Sequence, residues 1–262
     1  MSLPIFHVDA FTDHVFGGNP AAVVPLEYWL PDSLMQQIAM ENNLSETAFF
    51  VHEPSGYRIR WFTPVSEVDL CGHATLASSH VLFNHLGFPG DLIELQSRSG
   101  ILRVKRDGER LTLDFPADTM QEVEALDNLV TAIGRKPLNT FKGKTDFMMV
   151  FGSQSDVEEI VPDIHLLLKT DARGVIVTAP GKKVDFVSRF FCPQVGVAED
   201  PVTGSAHTSL TPYWSARLGK TMMKASQLSR RRGHLTVSLK GDRVEISGNA
   251  LTYMRGEIFL DD

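Results

Sequence analysis

Apolar and polar positions alternate over residues 57–62 and again over 185–191, which predicts two strands with one face turned toward a core. Each strand leads through a loop to a glycine and a run of small residues, and from there a helix is expected over 74–86 and over 206–218. A hairpin is expected after each helix. Arg106-Asp107-Gly108-Glu109 and Lys240-Gly241-Asp242 punctuate alternating runs, as a tight connection between two strands requires. Upstream, an amphipathic helix over 32–41 precedes a short strand that begins near Glu46. The closing run 250–260 reads as a strand that could cross back to the first half.

The elements are doubled because the sequence is doubled. Arg60-Trp61-Phe62-Thr63-Pro64 returns 129 residues later as Arg189-Phe190-Phe191-Cys192-Pro193, and Gly72-His73-Ala74 returns 132 residues later as Gly204-Ser205-Ala206. Gly100-Ile101-Leu102-Arg103-Val104 is matched 133 residues on by Gly233-His234-Leu235-Thr236-Val237. Three collinear matches with a small drift in offset are what a tandem duplication of one α/β unit leaves behind. The boundary is expected near residue 118, before an acidic and irregular stretch, giving an N-terminal α/β domain over 1–118 and a C-terminal one over 119–262. A length of 262 residues suits two domains of ordinary size.

Composition narrows the class of function. With 43% hydrophobic and 22% charged residues, the chain has the make-up of an ordinary globular protein. A net charge of −7 and a pI near 5.7 argue against a nucleic-acid partner, since affinity for phosphates rests on Lys and Arg. The basic cluster Arg230-Arg231-Arg232 reads as a solvated turn. No apolar run approaches the roughly 18 residues of a membrane helix. Residues 1–9 lack the basic-then-apolar order of a leader, so a cytoplasmic protein without membrane contact is expected. Cys71 and Cys192 are too few for a disulfide framework, and no Cys/His spacing reads as a zinc site, so no metal is expected.

Candidate chemistry gathers at the two glycine turns. Gly72 and Gly204 each open a helix whose first-turn N–H groups no bulky side chain screens, an arrangement that attracts anions. Two such ends related by approximate two-fold symmetry could grip a carboxylate substrate across a cleft; the alternative is that the glycines only let helix pack close on strand. His73 and Ser205 fill the same slot in the two copies. Strand alternation puts Glu46 on the face of Ala48 and Phe50: on an interior face its carboxyl would be desolvated and suited to proton exchange, on the other it would be a solvated strand end. Asp200, held extended by Pro201, either braces its own loop or serves the site. His207 reads as a helix-face histidine and Asn19 as a turn residue in Gly17-Gly18-Asn19-Pro20.

Phe6-His7-Val8-Asp9-Ala10-Phe11-Thr12, Gly18-Asn19-Pro20-Ala21, Asn43-Leu44-Ser45-Glu46-Thr47, Phe62-Thr63-Pro64, Leu70-Cys71-Gly72-His73-Ala74-Thr75 and Glu199-Asp200-Pro201-Val202-Thr203-Gly204-Ser205-Ala206-His207 together resemble the PhzF-like phenazine-biosynthesis family, and the likeness spans the chain. The resemblance implies a diaminopimelate-epimerase-like α/β (α+β) fold: two duplicated pseudo-symmetric domains, each a curled, barrel-like sheet around a central helix, with the active site between them. It implies that Glu46 is the acid/base, that His73, Asp200 and Ser205 line the site, that no cofactor is used, and that homodimers form. The expected reaction is a proton shift or epimerisation on a small carboxylate-bearing substrate, with charge stabilised by the helix N-termini, His73 and Ser205. Asp200 would orient His73 or a substrate amine. Two alternatives stand beside it. One is a small-acid binding protein without catalysis; the other is a two-thiol racemase of the same fold, for which Cys71 is in place but the offset puts Thr203 at the second position and aligns Cys192 with Thr63.

Overall fold

The computed structural model describes residues 1–54 and 56–260. The chain opens with strands β1 (Ser2–Ala10) and β2 (Asn19–Leu26), helix α1 (Asp32–Asn42), and strands β3 (Glu46–Glu53), β4 (Gly56–Phe62) and β5 (Glu67–Val68). Helix α2 (Gly72–Asn84) and strands β6 (Leu92–Ser97), β7 (Gly100–Asp107) and β8 (Arg110–Pro116) follow. Next come β9 (Gln121–Val123), α3 (Asp127–Ile133), β10 (Asn139–Lys142), β11 (Asp146–Val150), α4 (Gln154–Glu158), α5 (Ile164–Leu167), β12 (Gly174–Pro180), β13 (Phe186–Cys192) and β14 (Val197–Asp200). The chain closes with α6 (Gly204–Leu218), β15 (Met222–Gln227), β16 (Gly233–Lys240), β17 (Arg243–Gly248) and β18 (Ala250–Phe259).

Two compact units result, one of Met1–Asp114 with the segment from Ser247 onward, the other of Phe115–Ile246. The division falls a little before residue 118, and the second unit is not closed at the chain end. β18 runs antiparallel along β1 from Ala10↔Ala250 to Ser2↔Phe259, so backbone hydrogen bonding carries the last strand into the first unit. The last two positions of the domain expected over 119–262 lie outside the described residues.

The duplication is visible strand for strand. In the first unit β1–β2 is antiparallel, β2–β3 parallel, β3–β4 antiparallel, β4–β6 parallel and β6–β7 antiparallel. In the second the same series runs β10–β11, β11–β12, β12–β13, β13–β15 and β15–β16. A parallel pair needs a crossover, and helices supply it: α1 and α2 in the first unit, α4 with α5 and then α6 in the second. Hairpin turns fall where glycine permits a positive φ, with Gly108 (φ +61°) inside the Asp107↔Arg110 closure of β7–β8 and Gly241 (φ +64°) between β16 and β17.

Helix α2 is buried on almost every side, which a helix rich in hydroxyls can tolerate only if they are satisfied locally. Thr75, Ser78 and Ser79 donate to the carbonyls of Cys71, Ala74 and Thr75 at 2.5, 2.8 and 2.9 Å. In α6, Thr211 donates to His207 O at 2.6 Å. Pro212 lacks the N–H that would reach back to Thr208 O, and that carbonyl accepts instead from Asp118 N at 3.1 Å, so the helix continues through the proline.

The packing fixes which face of each strand looks where. Phe49 and Val51 of β3 join Ala22 and Val24 of β2 and Met35 and Ile38 of α1 in one apolar cluster. Glu46, Ala48 and Phe50 therefore point to the opposite face of β3, the one that α2 covers. The second unit repeats the scheme with Phe147, Met149, Val175 and Val177 against Leu129 and Ile133 of α3.

Candidate active site

Both faces of β3 are interior over Thr47–Val51, and on the face of Glu46 solvent is reached only at the far end, at His52. Glu46, at its first position, keeps 17% of its side-chain exposure, and its Oε2 lies 3.2 Å from Nε2 of His73. His73, the second residue of α2, is 4% exposed. Its Nδ1 lies 3.0 Å from Nδ2 of Asn19 and 3.5 Å from Sγ of Cys71. Asn19 sits at the start of β2 opposite Ala10, fully buried, and not in a solvated turn. The turn is made by the residues before it, Gly18 having φ +61°.

Burial pulls the His73 imidazolium down, and its contacts with Cys71 and Glu46 more than offset this, so its pKa lies well above that of an ordinary histidine. Burial pushes the Cys71 thiol up to about 11, and Glu46 adds to the rise. Near neutral pH Cys71 is thus a thiol. Glu46 and His73 are at ion-pair distance but off the hydrogen-bond direction: Glu46 Oε2 and His73 Nε2 are buried and accept or donate no hydrogen bond. Each keeps a hydrogen-bonding capacity that an incoming molecule can use, and burial makes leaving it unused costly.

The helix starts are alike. Gly72 and Gly204 are the first residues of α2 and α6, and the N-caps Cys71 and Thr203 make no side-chain capping bond, so the positive end of each helix dipole is not screened by a capping side chain. The pairing of Cys71 with Thr203 as N-caps matches the sequence offset, and Cys192 lies at the end of β13 instead.

In the second unit, Ser205 accepts a hydrogen bond from Arg173 Nη2 at 3.1 Å. Arg173 also pairs through Nε and Nη2 with the buried carboxylate of Asp146, the Nε bond being 2.9 Å. Burial works against the Arg173 charge, and Asp146 outweighs it, so its pKa is raised. Sequence reading passed over Arg173. The repeat held the signal: β12 begins at Gly174, in the place that Glu46 holds at the start of β3, and Arg173 precedes it. Asp200 braces its loop by accepting from Thr203 Oγ1 at 2.5 Å, and its own carbonyl accepts from Gln227 Nε2 at 2.7 Å. Gln227, also passed over, takes the Thr203 N–H at 2.9 Å and so shapes the approach to α6. The structure thus gathers Asn19, Glu46, Gly72 and His73 in one cluster and Asp200, Gly204 and Ser205 in another.

His207 is not a surface histidine. It is fully buried, its Nδ1–H donates to Thr203 O at 2.8 Å, and Phe186 lies against its ring at 6.0 Å. Burial lowers its pKa to about 4, the Thr203 bond resisting only in part. In the unfolded chain it titrates near 6.5, so between about pH 6.5 and 4 the unfolded state holds more protons and stability falls as pH falls. His80, lowered to about 4 by burial and by His85, acts with the same sign. We expect His207 alone to remove about 2 to 3 kcal/mol near pH 4.5. Urea unfolding at pH 7 and 4.5 measures this: His207→Gln should lose less stability than wild type over that interval, and an equal loss would acquit His207.

Donor atoms of Glu46, Cys71 and His73 lie within 4.8 Å of one another, but Cys71 stands at Nδ1 and Glu46 at Nε2, on opposite edges of the ring, so the three do not face one ion. Among the described residues, no helix is long and apolar enough to cross a membrane.

Comparison with known proteins agrees with this architecture. The family model described as phenazine biosynthesis-like protein, PhzC-PhzF, matches residues 8–256. An uncharacterized isomerase of Pseudomonas aeruginosa is 51% identical over 260 residues, covering 99% of this chain and 100% of that protein. The crystal structure of a PhzF-family phenazine biosynthesis protein from Enterococcus faecalis has a TM-score of 0.96 at 48% identity, over 99% of this chain and 100% of that one. At 11% identity and a TM-score of 0.65, over 100% of this chain and 93% of the other, a hydroxyproline epimerase from Agrobacterium vitis shares the fold alone. A family match across nearly the whole chain, half-identical relatives named as isomerases and a near-superposable structure lead to one conclusion: this chain belongs to the PhzC-PhzF family of phenazine biosynthesis-like proteins, with its two-unit α/β epimerase-type fold and its isomerase class of activity.

Proposed function

We propose that this isomerase moves a proton on a small carboxylate-bearing metabolite, with Glu46 as general acid and base. The observation that carries the reading is the Glu46–His73 pair at the start of α2, a carboxylate 3.2 Å from a buried imidazole with the facing atoms of both lacking a hydrogen bond. Glu46 takes a proton from a substrate carbon and returns it to another carbon or heteroatom of the same molecule. The sum is electron-neutral and needs no oxidant or reductant. As the proton leaves, negative charge spreads toward the substrate's carboxylate, and groups already oriented toward that charge lower the barrier most. His73, held by Asn19, and the N–H groups of Gly72 and its neighbours supply them at α2. Ser205, Gly204 and Arg173 hold the acid group at α6, and Asp200 keeps that turn in shape through Thr203.

A proton-exchange screen by NMR in deuterated water, over aromatic-precursor acids and amino acids, tests this. The substrate should acquire solvent deuterium at a single carbon. A product free of label would point to direct hydrogen transfer and remove the acid/base role, and an acid that binds without exchanging would make this a binding protein. In the same assay Arg173→Gln should raise KM about tenfold with kcat nearly unchanged, the signature of a lost charge-assisted contact present in ground and transition state alike.

A further inference from the structure

We infer that a recess beside α6, within the second unit, is a binding site for a small aromatic amine. The recess, of about 410 Å3, lies between the flank of α6, the hairpin turn at Gly241 and the segment that follows β8, and Met120, Phe141, Pro212, Tyr213 and Leu239 give it an apolar lining. Its volume falls in the range of pockets that hold small organic molecules. None of the residues assigned to the proton shift takes part.

The first unit has a recess at the corresponding place, of about 550 Å3, beside α2 and the hairpin turn at Gly108, and charged and amide side chains prevail in its lining. At the offsets of 132 and 133 that relate the two copies, His80 of the first recess is replaced by Pro212 and Arg106 by Leu239, while the turn Gly108-Glu109 returns as Gly241-Asp242. A hollow between helix flank and hairpin turn is thus part of the repeated unit, and the fold by itself does not demand apolar walls. Met120, Phe141, Tyr213 and Leu239 are only half-buried and keep apolar surface against water, which an occupant would cover.

Charge decides the class of occupant. Among the described residues, two carboxylates, Asp118 and Asp242, line the recess, and no Lys, Arg or His does. Asp118 is held in place: its N–H donates to Thr208 O at 3.1 Å, its Oδ2 accepts from Ser209 Oγ at 2.9 Å, and a Cβ on Gly143 would stand 2.7 Å from that oxygen. Ala117 N donates to Asp242 O at 2.8 Å and ties the hairpin turn to the same wall. Phe141 and Tyr213 meet edge to face with ring centroids 5.2 Å apart, so their π-systems are set at an angle to one another. An ammonium group is attracted by carboxylates and by aromatic faces, and a flat apolar body packs on the remaining walls. A short aromatic amine has both parts, whereas an aromatic acid carries the wrong sign for Asp118 and Asp242.

Titration calorimetry of the whole protein with phenethylamine, phenethyl alcohol and phenylacetate, at one ionic strength, tests the site. The amine should bind about tenfold or more tightly than the alcohol, which has the same body without the charge. Phenylacetate in excess should leave amine binding unchanged. Asp118→Asn and Asp242→Asn should each weaken the amine about threefold to tenfold and leave the alcohol as it was. Leu239→Arg, which gives the second unit the residue that the first unit has, should abolish amine binding. An amine that does not bind, an alcohol that binds as well as the amine, displacement of the amine by phenylacetate, or an amine affinity unchanged by these substitutions would overturn the site. If circular dichroism shows Leu239→Arg unfolded, Asp242→Asn decides, since that side chain is exposed and the hydrogen bond from Ala117 goes to its main chain.

Discussion

Glu46→Gln is expected to lower substrate proton exchange by about a thousandfold or more, roughly 4 kcal/mol of barrier, while the acid still binds. The amide has the size and shape of the carboxyl, so β3 and its packing under α2 should persist. What it lacks is basicity: it cannot take the proton, and no other group at the start of α2 can replace it. Cys71 is a thiol held up near 11, and the pKa of His73 is raised well above the ordinary histidine value, which favours its protonated form over the free base. Exchange rates for wild type and variant, with binding followed separately by calorimetry, give the answer. A variant within a few-fold of wild type would take Glu46 out of the mechanism.

Gly18→Ala is expected to cost about 3 kcal/mol or more, combining the penalty of a side chain in the left-handed region with a clash that cannot relax. Gly18 has φ +61°, and a Cβ built there would stand 2.0 Å from the carbonyl oxygen of Ala10. That oxygen belongs to β1, which is locked between β2 and β18, so the backbone has nowhere to go. Gly17→Ala is the contrast: its Cβ would meet the side chains of Thr12 and His14, which can move, and φ there is not positive. Urea midpoints for the two variants should differ clearly. Because Asn19 follows Gly18 and touches His73, the first variant should also lose exchange activity if it folds. A Gly18→Ala protein as stable as wild type would show that the turn is not needed in this form.

How much could be read before any coordinates depended on the distance over which each feature is decided. The strands over Gly56–Phe62 and Phe186–Cys192 showed in their alternation, and the central helices in their small residues. Hairpin turns showed in Asp107-Gly108 and Gly241-Asp242. The short helices α3, α4 and α5 did not, because elements of four to seven residues have too little period to stand out. Ser153, whose hydroxyl accepts from Asp156 N while Asp156 accepts from Ser153 N, starts α4 by a local cap that only the loop's final path makes visible. Asn19 looked like part of a turn because its neighbours are glycines, and it lies 54 residues from the His73 ring it supports. Arg173 carried no local mark at all.

The sequence alone determined that one unit occurs twice, where its central strands, helices and hairpins lie, and that polar residues stand at both helix starts. Period and turn chemistry are local properties and survive in the order of residues. The tertiary structure decided which atoms meet: Glu46 with His73, His73 with Asn19, Arg173 with Ser205, and β18 with β1 rather than with its own half. Such meetings follow from the register of strand against strand, where a slip of one residue turns every side chain to the other face, and register is a compromise struck by the whole sheet and its core.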